Sequence, residues 1–116
     1  MGIERRVDFG EVIVPALRRD GYSNDQIGRF ELYHIQHPDI WRKFEATAFR
    51  MIEAGMKHYG AMAIFNYLRF HEAIEKRGDF IVNNNYQPMY ARMFEAKWPE
   101  HSGFFEMRVV NQRKAA

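Results

Sequence analysis

The stretch from Pro38 to Gly55 constrains this chain more than any other, because it carries the local signals for one amphipathic helix from start to stop. Pro38 suits a first helical turn, where its missing N–H has no acceptor within the helix anyway. Asp39 complements the positive helix end. Ile40, Trp41, Phe44, Ala48, Met51 and Ile52 recur at three- and four-residue steps and form one apolar face. Gly55 is placed to end the helix in a left-handed conformation. Such a helix is stable only if its stripe is covered, so the remaining sequence must supply the cover.

It offers two further helices and two strand candidates. One helix is predicted from Ala61 to Arg77, with Ile64, Tyr67, Leu68, His71 and Ile74 on its apolar face. Gly78 stops it, and Lys76 and Arg77 favour its negative end. The last helix is predicted over about Pro88–Trp98, carries Met89, Tyr90, Met93, Phe94 and Trp98, and is halted by Pro99. Phe80-Ile81-Val82 is a short β-candidate. Phe104–Val110 alternates, with Phe105, Met107 and Val109 facing one way and Glu106 and Arg108 the other. These two strands flank the last helix and are expected to pair across it.

Residues 1–37 read as less regular. Val7–Arg19 is a helix broken by Pro15 or an extended arm, and Asp20-Gly21-Tyr22-Ser23-Asn24 is a turn. Ser23 or Asn24 then caps a short helix through Ile35, with Ile27, Phe30 and Leu32 as its apolar contacts. Helix, Gly-containing turn and capped helix form the outline of a helix-turn-helix, and equally of any helical hairpin. The expected fold is one α+β domain over residues 1–116, mainly helical, with its core in 38–110. It has three to five helices and a small two- or three-stranded antiparallel sheet, in a winged-helix-like arrangement.

Composition supports a globular chain and excludes several function classes. Hydrophobic residues make up 47% and aromatic residues 16%, enough rings for a dense core in a small domain. There is no cysteine, so neither disulfides nor thiol chemistry enter, and the chain reads as cytoplasmic. Met1-Gly2-Ile3-Glu4-Arg5-Arg6 has no apolar run behind it and is not expected to be a signal peptide. No window approaches the roughly 18 apolar residues of a membrane span. No phosphate-binding or dinucleotide-binding glycine pattern occurs, and neither Ser23 nor Ser102 sits in a nucleophile motif. The chain is therefore expected to be no enzyme and to hold no cofactor.

Glu31-x-x-His34-x-x-His37 puts ligand types at three-residue spacing, but Pro38 ends the helix near His37 and no second half of a dinuclear site follows. Metal is not expected.

The net charge of +2 and pI of about 9.0 are mildly basic, compatible with a nucleic-acid partner. The most pointed local feature in that direction is Asn83-Asn84-Asn85-Tyr86, a tight turn leading into the last helix. A helix start surrounded by amides and lacking acids accepts anions, phosphate included. On the functional reading, Asn84 and Asn85 touch base edges, and Arg92, Arg69, Lys76, Arg77, Arg108, Arg113 and Lys114 grip phosphates. On the structural reading, the turn only joins strand to helix and the cations are a solvated surface.

The pieces Asn83-Asn84-Asn85-Tyr86, Tyr90-Ala91-Arg92-Met93-Phe94, Pro99 and Gly103-Phe104-Phe105-Glu106-x-Arg108, within about Pro38 to Arg108, resemble a group of small uncharacterised bacteriophage and prophage proteins. The resemblance implies a phage accessory role and no particular activity. Residues 1–37 lie outside it. The leading expectation is a non-enzymatic protein that binds nucleic acid, duplex DNA first, through a basic face and the last helix. The alternative is a module that inhibits or redirects a host protein, with an exposed apolar patch around Trp98 and Phe104. A homodimer is compatible with either.

Overall fold

The computed structural model describes residues 6–75 and 86–106, with the side chains of 71–75 left aside. The Asp8 carboxylate accepts a hydrogen bond from the Glu11 N–H at 2.8 Å and starts a wide π-helical turn, Phe9–Ile13. This turn runs directly into α1 (Val14–Arg19), with Pro15 at the junction, so its missing N–H falls where the wide turn gives way to the α-helical pattern. Pro15 thus marks a change of helical pitch rather than an extended arm.

After a turn at Gly21 comes α2 (Asn24–Gln36). Its cap is reciprocal: the Gln26 N–H donates to Ser23 Oγ at 3.1 Å, and the Ser23 N–H donates to Gln26 Oε1 at 2.8 Å. Two otherwise unpaired donors are satisfied by one Ser and one Gln three residues apart. Helix α3 (Pro38–Glu53) follows at once, then α4 (Ala61–Glu75) and α5 (Gln87–Lys97), with a 3₁₀ turn at Pro99–His101. The end of α3 is the one its sequence dictates. Gly55 adopts φ +94°, its N–H donates to Ile52 O, and the Met56 N–H donates to Met51 O.

Helix α5 is central. It packs against α1, α3, α4 and the π-helical turn, and its run from Met89 to Phe94 is buried without interruption. A helix buried on every side needs apolar or neutralised residues all round, and this one has them. Tyr90 is the hub: its ring lies 5.1 Å from that of Phe30, 5.2 Å from Phe65, 5.6 Å from Phe44 and 6.0 Å from Trp41. Ile13, Leu17, Ile27 and Phe30 join the same core, so the segment expected to be a less regular arm supplies part of it.

Among the described residues no strand forms, and β pairing is reduced to one parallel bridge between Tyr59 and Phe105. Its partner is the connection between α3 and α4. The Tyr59 N–H donates to Phe104 O at 2.9 Å, and the Glu106 N–H donates to Tyr59 O at 3.2 Å. The alternation predicted from Phe104 fails because two consecutive rings both go inward: Phe104 and Phe105 are each buried. Phe105 packs 5.3 Å from Phe44 and 5.4 Å from Phe94. An extended strand would send one of the two to solvent. Phe80-Ile81-Val82 and residues 107–110 lie outside the described residues. Among the described residues the architecture is thus mainly helical, without the small antiparallel sheet, and the winged-helix-like expectation is not met there.

Candidate interaction surface

The expected nucleic-acid face is only partly within the described residues. Asn84, Asn85, Lys76, Arg77, Arg108, Arg113 and Lys114 lie outside them. Arg92 lies inside the protein, 7% exposed. Its Nε donates to Asp20 Oδ2 at 2.9 Å, its Nη1 donates to the Pro88 carbonyl at 3.1 Å, and its guanidinium sits 5.4 Å from the centre of the Tyr22 ring. Burial raises the pKa of the Tyr22 hydroxyl, with the Arg92 charge opposing. Arg92 therefore ties α5 to the turn after α1. A phosphate grip needs an exposed guanidinium, and a recognition helix needs an exposed face; α5 presents neither at this position.

Arg69 is half-exposed on α4, with its Nη1 donating to Asn66 Oδ1 at 2.9 Å. It belongs to a surface that the sequence did not single out. Ala61, Ile64, Phe65 and Leu68 turn inward, and Phe65 meets Phe44 of α3 at 5.6 Å. Met62, Asn66, Tyr67 and Phe70 turn outward, with Phe70 65% exposed, Met62 39% and Tyr67 38%. Tyr67 was expected on the apolar core face; it lies at the boundary with α3, where Arg50 Nη2 donates to its hydroxyl at 3.2 Å. The outward side of α3 carries exposed Arg42, Ala46 and Arg50. Two further apolar side chains, Leu32 and Ile35, are exposed on α2. Leu32 had been expected to pack inward.

Trp98 and Phe104, the expected exposed patch of the protein-interaction alternative, are both buried. The Trp98 indole N–H donates to Glu45 Oε2 at 2.7 Å, and the same oxygen takes Lys97 Nζ at 2.8 Å. Glu45 is thus a buried charge matched by a neighbouring cation and an N–H donor, which joins α3 to the end of α5. The signal was available in sequence only as a Glu out of register on an apolar helix face.

The features that invite chemistry are accounted for by packing. His34 stacks against Phe9 and Phe30, at 5.9 and 6.2 Å, and burial lowers its pKa. Its Nδ1 and the Tyr90 hydroxyl are buried without a hydrogen-bond partner, and burial raises the Tyr90 pKa. His37 packs on Tyr33 at 4.6 Å. No group of three or more His, Cys, Asp or Glu among the described residues is arranged to hold a metal ion.

A surface groove brings together Met56, Lys57, His58, His101, Ser102 and Phe104. His58 Nδ1 lies 3.0 Å from the Gly103 carbonyl oxygen, while Ser102 Oγ donates to Glu95 Oε1 at 3.4 Å. Glu95 Oε2 also accepts from the Gly103 and Phe105 N–H groups, at 3.0 and 3.2 Å. Ser102 is therefore part of a carboxylate-capped turn, closed by Gly103 at φ +94°, and is not paired with an imidazole as a nucleophile would be.

No helix among the described residues is long and apolar enough to cross a membrane. Neither a family model, nor a curated protein, nor a solved structure matches the chain.

Proposed function

We propose that this chain is a non-enzymatic protein-interaction module, a small accessory protein of phage or prophage type, that docks a host protein on the outward face of α4. The observation that carries the reading is Phe70, 65% exposed on the same outward side of α4 as Tyr67 and Met62, opposite the buried Ala61, Ile64, Phe65 and Leu68. A large ring left in water forgoes the burial that Phe otherwise brings to a fold, and clustered exposed apolar side chains mark contact surfaces more often than they mark nothing. The nucleic-acid reading has less to stand on, since α5 is buried and Arg92 is paired with Asp20.

Photo-crosslinking in the source cells tests the proposal, with p-benzoylphenylalanine at position 70 and, as control, at the exposed Asp25 on α2. A discrete protein adduct from position 70 and none from position 25 is the expected result. No adduct at position 70, or the same set from both positions, overturns it. So does micromolar binding of labelled duplex DNA that weakens steeply with salt, which would return the function to phosphate contacts.

A further inference from the structure

We infer that the groove between the α3–α4 connection and the turn after α5 binds a soft monovalent metal ion, copper(I), through Met56 Sδ, His58 Nε2 and the His101 ring. The inference does not rest on the docking role proposed above. All three side chains line this one groove, although α4 and α5 separate His58 from His101 in the chain. Backbone pairing holds its two sides together. The Tyr59 N–H donates to Phe104 O at 2.9 Å and the Glu106 N–H to Tyr59 O at 3.2 Å, which fixes the residue after His58 to the turn that carries His101. Met56 is anchored behind Gly55, its N–H donating to Met51 O at 3.1 Å. Donors supported in this way lose little freedom when an ion arrives.

His58 is held in one tautomer. Its Nδ1 lies 3.0 Å from Gly103 O, and a carbonyl oxygen can only accept, so Nδ1 carries the proton and Nε2 keeps the lone pair that a metal takes. Metal-ligating histidines are oriented by such a bond from the remote ring N–H. The carbonyl is itself held in place: Glu95 Oε2 accepts from the Gly103 and Phe105 N–H groups, at 3.0 and 3.2 Å. The same carboxylate puts a negative charge behind the groove wall, against the charge of Lys57. Lys57 is exposed, and its flexible stem lets the ammonium turn to water.

The donor types choose the metal. Two imidazoles and a thioether are neutral, and neither a carboxylate nor a thiolate lies among the lining residues. Calcium and magnesium need oxygen ligands. Structural zinc takes four donors and catalytic zinc three drawn from His, Cys, Asp and Glu, of which the groove offers two. The third donor here is the Met56 thioether, a soft ligand that selects copper(I), and imidazole accepts copper as well.

Titration of the intact chain, with ¹⁵N-labelled histidines and ¹³C-labelled methionine methyls, tests the site. Silver(I) in chloride-free buffer is the redox-inert probe, and copper(I) follows under anaerobic conditions. Saturation at one equivalent is expected, with a Kd of about 1 µM or tighter. The Met56 methyl and the His58 and His101 ring nitrogens should shift, while His34 and His37 stay put. Met56→Leu and His58→Gln should each weaken binding at least about tenfold. Both positions are exposed, and the Gln amide can still donate to Gly103 O, so the turn is kept while the metal-binding lone pair is lost. Met62→Leu, at a methionine as exposed as Met56, is expected to bind like wild type. Lack of saturation at one equivalent, unchanged affinity in Met56→Leu or His58→Gln, or an equal loss in Met62→Leu overturns the inference. So does zinc(II) binding at the same residues more tightly than copper(I), which would make the thioether a bystander.

Discussion

Replacing Glu45 by Leu tests whether the buried charge cluster, and not the apolar core alone, fixes α5 against α3. Glu45 and Lys97 have side chains 5% and 11% exposed and meet at 2.8 Å, and the Trp98 N–H shares the same carboxylate oxygen at 2.7 Å. Deleting one partner of a buried pair costs about 3–5 kcal/mol, because the other charge loses its counter-charge in a poorly solvated place. The lost acceptor of a buried indole N–H would cost about 1–3 kcal/mol by itself. The two losses overlap, and Lys97 keeps its contacts over the Trp41 and Trp98 rings, at 5.8 and 5.5 Å. Glu45→Leu is therefore expected to destabilise by about 4 kcal/mol, a large share of the roughly 5–15 kcal/mol that holds a domain folded. Lys97→Met alone should cost about 3 kcal/mol, because it strands the Glu45 carboxylate, and the double variant about 2 kcal/mol, because no charge is then left buried and the remaining loss is the Glu45 acceptor of the indole N–H. The measurement is urea denaturation followed by far-UV circular dichroism, since Trp98 fluorescence itself changes with the substitution; a constant m-value validates the comparison. Two results would refute the reasoning: a Glu45→Leu cost below about 1 kcal/mol, or single-variant costs that add to within about 0.5 kcal/mol.

Ser23→Ala removes one half of the reciprocal cap on α2 and should cost about 1 kcal/mol in the same denaturation experiment, with Ser23→Asp largely neutral. Arg92→Met takes the counter-charge from Asp20 and the donor from the Pro88 carbonyl; because Asp20 is half exposed, at 47%, the cost should be about 2 kcal/mol. The pH profile should carry the mark of His34, whose folded pKa is depressed below the ordinary value of about 6.5 by burial. Its unfolded form binds the proton more readily, so the neutral ring's contribution is complete above about pH 6.5 and is lost as pH falls towards the lowered folded value. Wild type should therefore lose more stability than His34→Phe between pH 7 and pH 5, by about 1 kcal/mol per unit of depression; parallel profiles for the two proteins would count against the assignment. Phe70→Asp should leave stability within about 0.5 kcal/mol, as an exposed position allows, which thermal unfolding will show.

The elements set by near neighbours were legible in the sequence. Helix α3 begins at Pro38 and turns off at Gly55 because a missing N–H and a positive φ are properties of single residues, and its stripe repeats within one window. The Ser23–Gln26 cap is another three-residue affair, of which the sequence announced the Ser. What distance in sequence decides was not legible. Arg92 looked like a surface cation because its partner Asp20 lies 72 residues away. Phe104 and Phe105 read as the start of an alternating strand, yet Phe105 fills the space between Phe44 and Phe94 and Phe104 is buried against it, and that burial outweighs one short ladder.

The same division separates the opening helix from the proposed site. By itself the sequence determined that α3 forms and that its apolar stripe needs cover, since helical period and caps are local physics. Only the tertiary structure decided that α4 and α5 supply that cover, with α5 at the centre of the core, which removes it as a reading helix. Only packing chose which rings of α4 stay outside. Phe65 and Phe70 are the same residue type on one helix, and the difference is that Phe44 stands opposite the first, while the second, a little over a turn further on, faces solvent.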